Sequence, residues 1–288
     1  MHVNHLVLGI VMNKVFVVLW IICCAFSTHL RAETQSQKVY TIGIVPQFES
    51  SRIRKIWKPI IKELEQGTGL KFKLSGSPTI PAFEKEFLAG HFDFAYMNPF
   101  HLLIANESQG YVPLVRDVGK KLYGILAVRK DSDIQSIQDL EGKTVAFPSP
   151  NALGASLQMR AEIHDKFNVN IDPKYVKTHD SVYLNVILRQ TSAGGGVQKT
   201  LNRQKDKIQQ ILKIIHTTTP VAPHPLAAHP RVGEMVYQKV QQALLAIAES
   251  NNGKKLLSAV PVKQLGLATM DDYQPLENMN LKRFYVEQ

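Results

Sequence analysis

Apolar positions along this chain change period again and again. Tyr40 to Val45 (YTIGIV) is an unbroken apolar run closed by Pro46, which predicts a buried strand. Ile53, Ile56, Trp57, Ile60, Ile61 and Leu64 then recur at helical spacing and form one helix face, which Gly67 and Gly69 should stop. Leu70 to Leu74 alternates as a strand. Phe83 to Ala89 reads as a short helix closed by Gly90, Phe92 to Met97 as a strand, and Pro99 to Glu107 as a helix with proline in its first turn.

The alternation continues. Leu122 to Arg129 and Thr144 to Phe147 read as strands, with a short helical turn at Ser136 to Leu140 between them. Pro148 to Gly154 leads into a helix that runs to about Phe167. Tyr175 to Thr178 reads as a strand, His179 to Ser181 as a turn and Val182 to Arg189 as a helix. Gly194 to Gly196 predicts a tight, permissive turn. Lys207 to Ile215 supplies a helix and a strand end. Pro220 to Pro230 holds four prolines in eleven residues and predicts an extended crossing. Val232 to Ser250 is a long amphipathic helix, followed by short helical pieces around Lys254 and Tyr273.

Strands alternating with helices predict an α/β protein whose parallel sheets carry helices on both faces. Ligands in such sheets collect at the carboxyl ends of the strands. That places Gln47, Tyr96, Met97 and Asn98 on one rim. The elements divide into two units, 33–125 and 126–219, with 220–288 returning to the first. Two chain crossings between the units would make a hinge.

The first 32 residues differ. Val15 to Phe26 is almost purely apolar, Lys14 precedes it, and no acidic residue occurs before Glu33. This run falls short of the roughly 20 residues a bilayer needs. With Leu30-Arg31-Ala32 after it, it reads as a cleaved secretory signal peptide, 1–32, directing the chain to the periplasm from a start at Met1 or Met12. Cys23 and Cys24, the two cysteines, both lie in this leader, and Ile21-Ile22 before them argues against lipidation. The mature chain would then hold no disulfide and no thiolate metal site.

The net charge is +10, or +8 once Lys14 and Arg31 are left out. The densest basic stretch, Arg203 to Lys213, reads as a solvated helix face rather than a nucleic-acid site; a basic surface of an exported protein attracts small anions. The sequence has no P-loop, no Gly-x-Ser-x-Gly elbow and no His pair on one helix face, so no enzyme, cofactor or metal is expected. His216, His224 and His229 are the histidines open to a metal site, but His224-Pro225 and His229-Pro230 read as extended loop positions.

Two segments suit an anion. A helix amino terminus presents free N–H groups and the positive end of the helix dipole. The first candidate is Ser149 to Ser156, with Pro150 or Ala152 opening the helix and Ser149 or Asn151 as its cap. The second is His179-Asp180-Ser181, where Asp180 has the alternative role of helix cap. Tyr96 and Asn98 would face them from the first unit, and Tyr123 sits near the hinge.

Four segments carry a family resemblance: YTIGIVPQFESSRIRKIWKPIIKELEQGTG, FLAGHFDFAYMNPFHLLIA, AVRKDSDIQSIQDLEGKTVAFPSPNALGAS and THDSVYLNVI. In this order, between about Tyr40 and Leu276, the chain resembles the periplasmic phosphate/phosphite/phosphonate-type binding proteins of ABC importers. The resemblance implies a two-lobed, type II periplasmic-binding fold with a hinge and an interlobe cleft. It implies a monomer that hands an oxyanion to an ABC permease; the alternative is a ligand sensor that regulates a membrane kinase or cyclase. The ligand-binding residues it implies are Tyr96, Asn98, Ser149, Asn151, Ala152, Gly154, Ala155, His179, Asp180 and Ser181, with His179 matching a histidine that contacts the anion. The chain also departs from the family. Ala152-Leu153-Gly154 stands where the phosphonate binders have Ser-Thr-Ser, Ala193-Gly194 where they have an acidic residue for a ligand amine, and Ile80 where they have a tyrosine.

Overall fold

The computed structural model describes residues 37–260 and 262–287; the predicted leader lies outside them. Val39–Gln288 forms one compact unit built on two sheets.

The first sheet begins with β1 (Val39–Ile44), α1 (Ser50–Thr68), β2 (Lys71–Gly76), α2 (Ile80–Leu88), β3 (Phe94–Tyr96), α3 (Pro99–Gln109) and β4 (Val112–Asp117). The second sheet takes β5 (Ile125–Arg129), β6 (Thr144–Phe147), α4 (Gln158–Phe167), β7 (Asp172–Tyr175), α5 (His179–Ile187), β8 (Ala193–Gly196), α6 (Gln198–Leu201), α7 (Asp206–Ile211) and β9 (Leu212–Thr217). The chain then returns to the first sheet through β10 (Leu226–Ala228), α8 (Glu234–Glu249), α9 (Asn251–Ala259) and β11 (Leu265–Leu267). The strand orders are β11-β4-β10-β3-β1-β2 and β7-β6-β8-β5-β9.

The helical face read from the sequence is the buried face of α1: Ile53, Trp57, Ile60, Ile61 and Leu64 pack with Val240, Leu244 and Ile247 of α8 and Leu257 of α9 against β1. Each such side chain contributes about 1.5–3 kcal/mol by leaving water. Gly67 stays inside the helix, and Gly69 alone ends it, in the left-handed region at φ 67° with its N–H on Glu65 O at 2.8 Å. The opposite face of the first sheet packs Phe83, Phe87, Phe100 and Leu102 of α2 and α3 with Tyr273, Leu276 and Leu281 near the carboxyl terminus. In the second sheet β5 alternates by the strand period: Leu126 and Val128 enter one core, Ile125 and Ala127 the other.

The sheets are mixed rather than parallel. β1, β2 and β3 run parallel, as do β6, β7 and β8, but β10, β11, β5 and β9 pair antiparallel to their neighbours. The proline-rich crossing hides a central strand: Leu226-Ala227-Ala228 is too short to show a period, and it sits between β3 and β4. The β4 run, broken by Pro113, gave no strand expectation either. The strand expected at Tyr175 to Thr178 lies three residues earlier, as β7, with Tyr175 its last residue, and α5 starts at His179 because Thr178 caps it.

Gly194 to Gly196 is a strand, not a turn. These glycines stand where neighbours press on the sheet. A Cβ on Gly194 would lie 2.5 Å from Val182 Cγ1, one on Gly195 would strike Ala155 O and Phe147, and one on Gly196 would strike the Tyr183 hydroxyl. The triplet lets α5 and the 152–157 segment approach β8, which is a packing requirement rather than a conformational one.

Candidate functional site

The parallel strands point their carboxyl ends at one rim. Val45-Pro46-Gln47-Phe48 leaves β1, Met97-Asn98 leaves β3, Pro148-Ser149 leaves β6, Val176 to Thr178 leaves β7 and Val197 leaves β8. Both chain crossings pass the same place. Leu122 and Val221 exchange N–H···O bonds of 2.9 Å, Gly124 donates its N–H to Thr218 Oγ1 at 2.8 Å, and Thr218 returns its own to Gly124 O at 3.0 Å. The crossings are thus paired into a two-stranded strap.

The segment after β6 differs from the expected capped helix. Ala152 precedes a π-helical turn, Leu153–Leu157, and α4 follows; neither Ser149 nor Asn151 caps it. Leu153 and Leu157 enter the apolar cluster of Phe100 and Tyr273. Gly154 lies against Gly124, where a Cβ on Gly124 would strike Gly154 O, and Ala155 lies against Gly195. Ser149 Oγ is buried with no hydrogen-bond partner among the described residues.

Asn98 and Asn151 belong to a buried polar network. Asn98 caps α3 by accepting from His101 N at 2.8 Å, and its Nδ2 donates to Asn151 O at 3.2 Å. Asn151 Nδ2 donates to Glu84 Oε2 at 3.1 Å and to Val286 O at 2.8 Å, while Asn151 Oδ1 accepts from Val286 N at 3.0 Å. His101 Nε2 lies 2.9 Å from Glu84 Oε1, with both side chains fully buried. Every carboxylate and amide oxygen named here has a partner, as burial demands.

His179 opens α5. Thr178, not Asp180, is the cap: its Oγ1 accepts from Ser181 N at 3.1 Å and shares a 2.8 Å hydrogen bond with Ser181 Oγ. That cap leaves the amides of His179 and Asp180, the first two of the helix, for a partner outside it. Asp180 accepts from Gln204 Nε2 at 2.6 Å. His179 Nδ1 is buried with no partner among the described residues. Burial pushes the imidazole down to about 4, so the ring is neutral at pH 7.

Beside it, residues of the two sheets meet around Phe48. The guanidinium of Arg52, in the first turn of α1, lies 4.7 Å from the Phe48 ring centre, and that of Arg203, just past α6, lies 4.6 Å from it. Lys199 of α6 is held down at about 8, first by burial and then by the charges of Arg203, Lys120 and Arg52. Tyr96 stacks on His224 with ring centres 5.5 Å apart and packs on Trp57 at 5.0 Å. Gln47 Nε2 lies 2.6 Å from His224 Nε2, which must accept. That fits a neutral ring, pushed down to about 3 chiefly by burial. Gln47, Phe48, Trp57 and Tyr96 line a small hollow here.

This geometry has known counterparts. The model of the periplasmic substrate-binding protein of phosphonate ABC transporters matches residues 42–273. The chain belongs to this family. The phosphate-import protein PhnD of Mycolicibacterium smegmatis is 24% identical over 223 residues, covering 70% of this chain and 69% of that one. Two solved structures share the fold. A phosphonate-transporter binding protein of Pseudomonas aeruginosa gives a TM-score of 0.76 at 20% identity, covering 86% of this chain and 88% of its own. PhnD1 of Prochlorococcus marinus, in complex with methylphosphonate, gives 0.76 at 16% identity, covering 87% of this chain and 100% of its own. The two-lobed periplasmic-binding fold is therefore the fold of this chain, and its work is substrate binding for an ABC transporter.

Within the family frame, the expected residues fall into three places. Asn98 and Asn151 tie elements together, Ala152, Gly154 and Ala155 pack, and Tyr96, Ser149, His179, Asp180 and Ser181 stand at the strand ends. The exposed Tyr123 adjoins the crossing. Sequence reading placed Gln47 on the rim and read His224 as an extended loop position, but it missed Phe48, Arg52, Lys199 and Arg203 as site residues. Arg203 was counted with the solvated stretch after it, and it is exposed as that reading expects, but it also lies against Phe48. Lys199 and Arg203 four residues apart after a strand were the available signal, and a solvated helix shows the same spacing.

Proposed function

We propose that this chain captures a small phosphonate- or phosphate-type oxyanion in the periplasm and delivers it to an ABC permease. One lobe comprises 33–125 with 220–288 and the other 126–219; the leader, 1–32, is removed on export. The chain works as a monomer without catalysis, metal or nucleic acid. The M. smegmatis relative is named for phosphate import and the P. marinus structure holds methylphosphonate; these support the ligand class.

The carrying observation is His179: a buried, neutral, unpartnered ring nitrogen on the first residue of α5, beside that helix's free amides. A neutral imidazole carrying its proton on Nδ1 donates to an anion oxygen, and the first amides of the helix add two more donors at the positive end of its dipole. Ser149 Oγ, a further buried group without a partner among the described residues, stands just past the end of the adjacent strand β6.

Isothermal titration of the mature chain with inorganic phosphate and methylphosphonate tests this. At least one should bind and raise Tm by mass action, and His179→Ala should weaken binding tenfold or more. If neither anion binds wild type, the reading fails.

A further inference from the structure

Four cations gather where the two sheets meet, and they outnumber the carboxylates near them. Arg52 belongs to α1 of the first sheet; Lys199 and Arg203 belong to the α6 turn of the second; Lys120 lies on the crossing after β4. The Phe48 ring lies within 5 Å of both guanidinium centres, so Arg52 and Arg203 share it and feel each other's charge. Arg52, Lys120 and Arg203 are exposed and Lys199 is half-buried, so water screens part of their mutual repulsion, and an anion bound among them would relieve the rest.

The local carboxylates supply only part of that negative charge. Asp117, which also accepts from the amides of Gly119, Lys263 and Gln264, answers Lys120 at 3.5 Å. Asp180, hydrogen-bonded to Gln204, offsets part of the Arg203 charge. Among the described residues neither Arg52, Lys199 nor Arg203 has a carboxylate within 4 Å. The other titratable groups facing the cluster, His179, His224 and Tyr183, are uncharged at pH 7, since burial lowers both histidines and raises the tyrosine to about 12.

One monoanionic head on the α5 amides and His179 leaves most of this positive charge unanswered. We infer that the ligand carries a second, separate anionic group, bound by Lys199, Arg203 and Arg52, and carries no ammonium. This rests on the oxyanion reading above and adds the chemical class: diphosphates and phosphonocarboxylates rather than simple alkyl- or aminoalkylphosphonates. The placement also fits a clasp. Arg52 and the Lys199–Arg203 pair come from opposite sheets, so a ligand spanning them would draw both toward itself, in the hinge-closure mode of two-lobed binders.

The test is competitive calorimetry on the mature chain at pH 7 and 0.15 M salt with pyrophosphate, phosphonoacetate, methylphosphonate and 2-aminoethylphosphonate. Pyrophosphate and phosphonoacetate should bind at least tenfold tighter than methylphosphonate, and 2-aminoethylphosphonate weakest of the four. The double variant Lys199→Met/Arg203→Met should reduce the pyrophosphate-to-methylphosphonate preference tenfold or more. A control, Lys254→Met/Lys255→Met, removes the same charge from the exposed face of α9 and should leave that preference in place. If methylphosphonate binds as tightly as pyrophosphate, or if the control erases the preference equally, the second anionic group is wrong while the oxyanion reading stands. If no anion binds, both fall. Because the substituted side chains repel each other, the double variant should melt no lower than wild type, and a loss of fold by circular dichroism would count against the cluster as a binding feature.

Discussion

Asn151 grips Val286 with both halves of its amide, donating to the carbonyl at 2.8 Å and accepting from the N–H at 3.0 Å. A residue of the second sheet's β6 loop thereby pairs, strand-like, with the carboxyl-terminal tail. Arg160 adds to the tie by donating to Phe284 O at 2.8 Å and to Pro150 O at 2.8 Å. The tail is thus a third connection between the halves of the molecule, beside the two paired crossings.

Breaking that grip should be costly. Asn151→Ala leaves the buried Glu84 Oε2 short of a partner and cuts the tie to Val286, and a buried polar group so stranded costs about 1–3 kcal/mol. Urea unfolding should show a loss of about 1–3 kcal/mol. Deleting residues 284–288 should cost a comparable amount, and the two changes should be markedly non-additive because they remove the same bonds. Additive losses would show that the tail acts elsewhere.

The glycines of β8 make a steric prediction. Gly195→Ala drives a methyl into Ala155 O, a backbone atom that cannot rotate away. Overpacking of this kind costs about 1–3 kcal/mol, and here the upper end is expected. The comparison is Gly76→Ala, which meets nothing within 4 Å and has ordinary φ; its Tm should stay close to wild type. Equal melting temperatures for the two variants would contradict the packing account.

Glu162 should govern acid stability. Burial alone would raise its carboxyl, but hydrogen bonds from His216 Nε2 at 3.0 Å and Thr219 N at 2.8 Å, with Lys166 nearby, hold it down at about 2. The folded value lies below the unfolded 4.5. Its stabilisation is therefore complete above about pH 4.5 and lost as pH falls toward 2. Urea midpoints measured from pH 6 to pH 2.5 should fall, and Glu162→Gln should flatten that slope while lowering stability at pH 6.

Lys199 predicts the opposite limb. With its folded value near 8, it loses its proton well before an unfolded lysine at 10.5 does. Between those values the unfolded chain holds more protons, so this residue makes stability rise with pH. Anion binding should do the reverse, because the ammonium that meets the anion disappears: pyrophosphate affinity should drop several-fold from pH 7 to pH 9. Lys199→Arg should keep the affinity and lose the pH dependence, measured by titration in buffers of equal ionic strength.

Local pattern decided much of this protein by itself. The Ile53-to-Leu64 face, the β1 and β6 runs, the Pro99 helix start and the proline-rich crossing are legible because each depends on neighbours in sequence. So is the family frame, carried by ordered segments. What only tertiary structure decided depends on residues far apart in the chain. The Gly194 to Gly196 triplet reads as a turn until Val182, Phe147 and Ala155 close on it. Asn151 reads as a helix cap until Val286 and Glu84 arrive from 135 and 67 residues away. Arg203 reads as solvent-facing and is, but that it shares the Phe48 ring with Arg52 is set only by the fold. Periodicity reports which face of an element is buried, but it carries no record of which distant charge a side chain will meet.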